Sequence, residues 1–280
     1  MYEAHFALDQ KPFGLTPGTH FFCELPPHRE AMEVLRLALG EGEGFIKVTG
    51  EVGTGKTLLC RQLLNTLGDD YKLAWLPDPQ LDPLALRWAL ATELGLKCSA
   101  NIDQQQLAQL LQRQLLGLAA NGYKVVVILD EAQALPRESL EALRLLTNLE
   151  TESRKLLQVV LFGQPELDGR LASHDLRQLR QRITFGYRLR PLSRAEVGHY
   201  VAFRLARAGR EAPLFSPRAL GALARASRGI PRLINILAHK AMLLAYGQGL
   251  GRVGWRQVRG AVRDTEHARQ GWLALPGVRG

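Results

Sequence analysis

Eight consecutive residues carry the densest chemistry in the chain: Gly50, Glu51, Val52, Gly53, Thr54, Gly55, Lys56 and Thr57. The glycines let the backbone curl, so that successive N–H groups turn inward toward an anion. In the pattern G-x-x-x-x-G-K-[ST], a lysine meets the β- and γ-phosphates of a nucleotide and a hydroxyl meets Mg2+. Lys56 and Thr57 hold those positions, and Leu58 belongs to the same phosphate-binding run. Residues 45–49 read as an apolar strand and 57–67 as a helix stopped by Gly68. A strand before and a helix after is the context such a loop needs, because the helix adds the positive end of its dipole.

A second constellation follows some 70 residues later, in the run VVVILDEAQ. Its apolar residues 125–129 deliver Asp130 and Glu131 at the carboxyl end of a strand, where open parallel sheets bind ligands. Asp130 suits Mg2+, held through water, and Glu131 suits orienting or deprotonating an attacking water. Two acids at an exposed turn are the plain alternative. A pure nucleotide binder has no use for Glu131, so the pair favours hydrolysis of the β–γ bond.

The elements that position these groups alternate. Helical stripes or caps mark 27–40, 82–94, 103–120, 136–149 and 175–182. Strand patterns mark 45–49, 72–76, 124–129, 156–162 and 184–189. Strands alternating with helices predict a parallel sheet covered on both faces, an α/β three-layer αβα core. Residues 1–25 form an aromatic, proline-rich entry segment with Phe6, Phe13, Phe21, Phe22, Pro12 and Pro17 and no regular period.

From Pro191 the texture changes. Ser193 and Glu196 form a capping box for a helix to about Ala208. Ser216-Pro217 opens a second helix, with proline at its first position. Gly229-Ile230-Pro231 breaks the chain before a third helix to about Tyr246, and a fourth is expected over 255–267. The expected division is a core at 1–190, including an entry region 1–40, a small all-helical domain at 191–268, and a tail at 269–280.

The 280 residues are 46% hydrophobic and 22% charged, which excludes disordered, collagenous and low-complexity classes. The longest clean apolar run, 125–129, is far short of the roughly 18 residues a membrane span needs. The N-terminus lacks a basic-then-apolar leader pattern, so a cytoplasmic location is expected. Cys23, Cys60 and Cys98 are odd in number and widely spaced, the pattern of buried thiols rather than a disulfide framework or zinc motif. Charge is uneven. Residues 1–180 hold 18 Lys and Arg against 23 Asp and Glu, net −5, whereas 181–280 hold 18 against 4, net +14. The basic half fits three uses: a solvated surface, a nucleic-acid or anionic-membrane face, or head-to-tail assembly against an acidic neighbour.

GEVGTGKT, LDEAQ, LFGQPEL, LRQRI and GIPRLIN, in this order and spacing, resemble the AAA+ P-loop ATPases of the ExeA/GspA type. The opening HFALDQKPFGLTPGTHFF is similar to that group too, and the resemblance covers nearly the whole chain. Within it the likeness is greatest to the MshM branch, which serves the mannose-sensitive haemagglutinin (MSHA, type IV) pilus. ExeA-type members continue into a membrane span and a peptidoglycan-binding domain, and the expectation from a chain ending at Gly280 is the MshM-like assignment.

The resemblance implies ATP or ADP and Mg2+ as ligands and the helical domain as a lid. It implies further roles residue by residue. Gln164 matches sensor 1, which touches the γ-phosphate or the attacking water. Arg182 matches the arginine finger that reaches a neighbour's site, with Arg180 the close alternative. Arg232 matches sensor 2, which couples phosphate to the lid. Pro12, Phe13, Leu192 and Pro231 fit apolar walls for adenine, or simply interdomain core. The implied partners are further copies in an ATP-dependent ring and pilus or secretin assembly proteins, beside the inner membrane. A second reading is an ATP-regulated DNA-binding ATPase of the transposition-target-selector type, and a third is a nucleotide switch that does not turn over.

Overall fold

The computed structural model describes residues 2–15, 19–77, 80–97, 99, 102–150, 155–266 and 268. The expected tail at 269–280, with Pro17, Cys98 and His267, lies outside them. The chain divides into two compact units. One comprises Met1–Pro27, Glu51–Leu58 and Arg190–Gly280, and the other His28–Gly50 and Leu59–Leu189.

The second unit is built on five strands: β1 (Phe45–Gly50), β2 (Tyr71–Leu76), β3 (Lys124–Leu129), β4 (Gln158–Gly163) and β5 (Ile183–Leu189). They pair in the order β2-β3-β4-β1-β5, and every pairing is parallel. The flanking helices are α1 (Pro26–Gly40), α2 (Lys56–Thr66), α3 (Pro83–Glu93), α4 (Gln104–Ala120), α5 (Arg137–Leu146), α6 (Pro165–Leu171) and the single turn α7 (Arg177–Arg180). On one face, Val125, Val127 and Leu129 of β3 and Val159 and Leu161 of β4 share a core with Leu86, Leu111, Leu140 and Leu167 of the helices. Their alternates Val126, Ile128, Val160 and Phe162 are also fully buried. Both faces are covered, which is why β3 and β4 are continuous apolar runs. Each such side chain contributes on the order of 1.5–3 kcal/mol by leaving water. The edge strand β5 alternates half-buried and exposed residues and carries Gly186 and Arg188, a pattern suited to a solvated rim.

The first unit is helical: α8 (Arg194–Arg207), α9 (Pro217–Ser227), α10 (Pro231–Gly247) and α11 (Trp255–Arg263). The capping box of α8 is present. Ser193 N–H donates to Glu196 at 2.7 Å, and Arg190 grips the same carboxylate with two bonds of 2.8 and 2.9 Å. The entry segment was expected with the sheet. Instead Tyr2, Phe6, Leu8, Phe13 and Leu25 lie in the core of the helical unit, among Leu192, Val201, Phe215 and Leu237. Arg204, 5% exposed, pins the segment there. Its guanidinium donates to the Pro12 carbonyl at 2.6 Å and the Gly14 carbonyl at 3.3 Å, and stacks over Phe21. A segment without periodicity does not announce its packing partner, which here is set by contacts some 190 residues away in the chain.

Three elements differ most from the sequence expectation. The helix expected to 149 stops at Leu146, where the Thr147 hydroxyl donates to the Arg144 carbonyl at 2.8 Å. The stretch 175–182 holds only a 3-10 turn and α7. The helix expected to 267 ends at Arg263, capped by Asp264. The seven-residue α6 was not expected at all, and its Asp168 bonds Lys47 at 2.5 Å and Thr49 at 3.1 Å on β1.

Candidate functional site

In the helical unit, the phosphate loop follows β1 and leads into α2. Gly53 and Gly55 take φ of +82° and +100°, values that side chains with a Cβ rarely adopt. These two glycines make the curl that the motif requires. The Thr54 N–H and hydroxyl both bond the Glu51 carbonyl, at 3.3 and 2.8 Å, and Lys56 Nζ reaches that same carbonyl at 3.1 Å. Lys56 is only 4% exposed, a cation withdrawn from water and facing its own loop. No acidic residue occupies the first turn of α2, so the dipole end there is left positive. Glu51 and Val52 face solvent, and Thr57 and Leu58 are half-buried.

The start of α10 is seated on this loop. The Arg232 N–H donates to the Gly53 carbonyl at 3.1 Å, and a Cβ added at Gly53 would lie 2.6 Å from the Arg232 Cβ. The Arg232 side chain itself is exposed. Pro231 stands at the first position of α10 and is half-buried. Leu192 is 6% exposed, and its N–H bonds the Gly229 carbonyl at 2.9 Å. Phe13 is 2% exposed and turns edge-on to Phe215, ring centres 6.0 Å apart. Pro12 is buried as well.

In the sheet unit, Asp130 directly follows β3 and is 4% exposed, with its Oδ1 accepting the Glu131 N–H at 2.9 Å. Glu131 adopts φ +52°, ψ +36°, the left-handed region that costs a non-glycine residue roughly 1–2 kcal/mol. That strain aims its carboxylate at two amides. Glu131 Oε2 accepts from Gln133 Nε2 at 2.6 Å and from Gln164 Nε2 at 2.9 Å. Gln133 Oε1 in turn accepts the Gln164 N–H at 2.9 Å. Arg170 of α6 donates to the Gln133 carbonyl. The approach is close enough that a Cβ at Gly163 would meet Leu167 at 2.7 Å and Gln133 Oε1 at 3.3 Å.

The structure therefore brings Glu131 and Gln164 together, although 33 residues separate them. Gln133 was not singled out from the sequence, yet it bridges the two. Its place inside LDEAQ, two residues after the acid, was the available signal. Lys47 and Asp168 were missed likewise, and a lone lysine in the apolar strand FIKVT was the clue. The two finger candidates part company. Arg180, exposed at the end of α7, lines a cleft of about 560 Å³ with Lys47, Asp168 and Arg188. Arg182 is half-buried and contributes, after Lys155, to holding the Glu150 carboxyl below its ordinary range. Among the described residues neither makes a hydrogen bond to the Glu131 cluster.

The chemistry of these donors fits a nucleoside polyphosphate: a withdrawn lysine, a positive helix end and a curled backbone for phosphate. Asp130 and the Thr57 hydroxyl are hard oxygen donors of the kind Mg2+ takes alongside substrate phosphates.

Residues 39–171 match the model of a family described as AAA domain. The chain is 44% identical over 253 residues to general secretion pathway protein A of Aeromonas hydrophila. That match takes in 90% of this chain but 46% of the relative, so the chain spans less than half of that protein's length. Among solved structures, it is similar to the Aeropyrum pernix ORC2 protein in its ADPNP–ADP complexes, with TM-score 0.69 and 19% identity over 95% of this chain and 75% of that one. It is similar also to Cdc6p of Pyrobaculum aerophilum, with TM-score 0.69 and 17% identity over 92% of this chain and 74% of that one. At these identities the likeness establishes the AAA-type P-loop fold.

Proposed function

We propose that this chain is an AAA-type ATPase that binds ATP with Mg2+, hydrolyses the β–γ bond, and uses the cycle to power or regulate assembly of a secretion or type IV (MSHA) pilus apparatus. The phosphate loop carries the reading: Lys56 is held 4% exposed in a backbone curled by Gly53 and Gly55, with α10 seated on it through Arg232. Lys56 and the loop N–H groups would take the β- and γ-phosphates. Thr57 and Asp130 would hold Mg2+, which supplies positive charge against the phosphate oxygens. Glu131 would orient the attacking water and accept its proton as the water oxygen bonds to γ-phosphorus and the β–γ bridge breaks, releasing ADP and phosphate. Gln164, already on the Glu131 carboxylate, would report the γ-phosphate to that base.

Arg182 or Arg180 from a second copy would stabilise charge on the transferred group, so turnover would require assembly. Arg232 would respond to loss of the γ-phosphate, and its backbone bond to Gly53 would pass the change into α10. A secretion-system partner is supported by the likeness to general secretion pathway protein A. Work beside the inner membrane rests on the same likeness. No helix of the described residues is long and apolar enough to cross a membrane.

The test is Mg2+-dependent ATP turnover across protein concentration, with and without duplex DNA, and Glu131→Gln as the blank. Turnover rising more than linearly with protein and lost in Glu131→Gln, with ATP still bound, is the expected result. Equal turnover in Glu131→Gln would overturn the hydrolytic assignment. A severalfold rise with DNA would favour the DNA-regulated reading, for which the net +14 of residues 181–280 is the supporting observation.

A further inference from the structure

The last helix of the helical unit presents a face that nothing above employs. α11 buries Gln257, Val258, Ala261 and Val262 and exposes Trp255, Arg256, Arg259 and Arg263. With 3.6 residues per turn, those four fall within an arc of about 100°. Arg252, also exposed, lies in the chain three residues ahead of the helix. Arg259 lies over the Trp255 ring, 5.1 Å from its centre. Among the described residues, Arg252, Arg256 and Arg259 form no ion pair with a carboxylate, and the neighbouring Asp264 is engaged by Lys240 at 2.7 Å.

The face is not only cationic. Trp255 and Leu250 are each 40% exposed, Leu244 38% and Leu243 37%. Leu244 borders the arginines, because its Cδ1 would meet a Cβ at Gly260 at 2.8 Å. These four large apolar side chains fall within 13 consecutive residues, and Leu244 and Trp255 adjoin the arginine-bearing helix face.

A duplex nucleic acid would engage the cations but gives exposed leucines no apolar surface to enter. An anionic phospholipid surface takes both. Arginines meet the headgroup phosphates, and tryptophan and leucine settle at the boundary with the acyl chains. We propose that α11 and the end of α10 dock peripherally on anionic phospholipid, with Arg252, Arg256 and Arg259 on the headgroups and Trp255 as the interfacial anchor. The apolar side of α11 stays in the protein core, so the contact is shallow and salt-sensitive.

The inference does not rest on ATP hydrolysis, and its test reads binding alone. The full chain is sedimented with phosphatidylglycerol-containing vesicles and with pure phosphatidylcholine vesicles at low salt. Binding to the first and not the second is expected, with a blue shift of tryptophan emission that Trp255→Ala abolishes. Arg256→Ala/Arg259→Ala is expected to lower the partition coefficient about 30-fold, roughly fivefold per arginine. Circular dichroism of both variants checks that the helical unit is folded. Equal binding to the two vesicle types overturns the proposal. So does a folded double variant that binds phosphatidylglycerol as tightly as the native chain. Loss of duplex-DNA affinity in that variant with vesicle binding intact also overturns it and assigns the face to nucleic acid.

Discussion

Replacing Gly229 with alanine should unfasten the joint that holds α10 against the phosphate loop. Gly229 sits at φ +74°, and an added Cβ would fall 2.0 Å from the Leu192 carbonyl oxygen and 2.8 Å from its nitrogen. Both are backbone atoms, so no side-chain rotation relieves the overlap. The left-handed conformation alone costs an alanine about 1–2 kcal/mol. Drawing Leu192 away breaks its 2.9 Å bond to the Gly229 carbonyl, which costs about 1 kcal/mol more, and the separated core adds to that. A loss of about 3 kcal/mol follows, or a fall in Tm on the order of 10 °C for a unit of this size. Because Arg232 follows three residues later and bonds Gly53, ATP affinity should weaken with it. Gly198→Ala is the control. It lies inside α8 with nothing within 4 Å of an added Cβ, and should stabilise by about 0.5–1 kcal/mol. Urea unfolding followed by circular dichroism separates the two. If both alanines shift the midpoint alike, or Gly229→Ala leaves it unchanged, the joint is not as described.

Other consequences follow from particular contacts. Gln133→Leu removes the 2.6 Å bond to Glu131 and the acceptor of the Gln164 N–H, so kcat for ATP should fall about 30-fold, near 2 kcal/mol, while KM moves little. A changed KM with kcat intact would contradict the assignment of Gln133 to the base. The Arg190 guanidinium, helped by the Ser193 amide, holds Glu196 down to about 2 from 4.5. Its folded pKa is depressed, so its stabilisation is complete above about 4.5 and fades as pH falls toward 2. The Tm gap between the native chain and Glu196→Gln should therefore be widest near neutrality and close in acid. Burial, with the Asp130 charge adding to it, pushes the Cys60 thiol up to about 12. Iodoacetamide should spare Cys60 in the folded chain at mildly alkaline pH and label it in urea, and peptide mass spectrometry showing fast labelling when folded would refute that.

The phosphate loop was legible because its chemistry is contiguous: the glycines, Lys56 and Thr57 act through the backbone they share. The same holds for β3 and β4, whose apolar runs record burial on both faces, and for the caps at Ser193 and Ser216, which act within three residues. Gln164 and Arg232 came from family likeness rather than from spacing. The short α6 escaped notice because seven residues with Gly169 at the centre carry too little period to read. The tertiary structure alone decided that Glu131, Gln133 and Gln164 share hydrogen bonds, that Lys47 pairs with Asp168 across 121 residues, and that the entry segment packs among α8 to α10. For the contacts around the sheet the physical reason is the strand order. A parallel sheet ordered β2-β3-β4-β1-β5 sets the carboxyl ends of strands distant in sequence side by side, and local spacing encodes each end but not its neighbour.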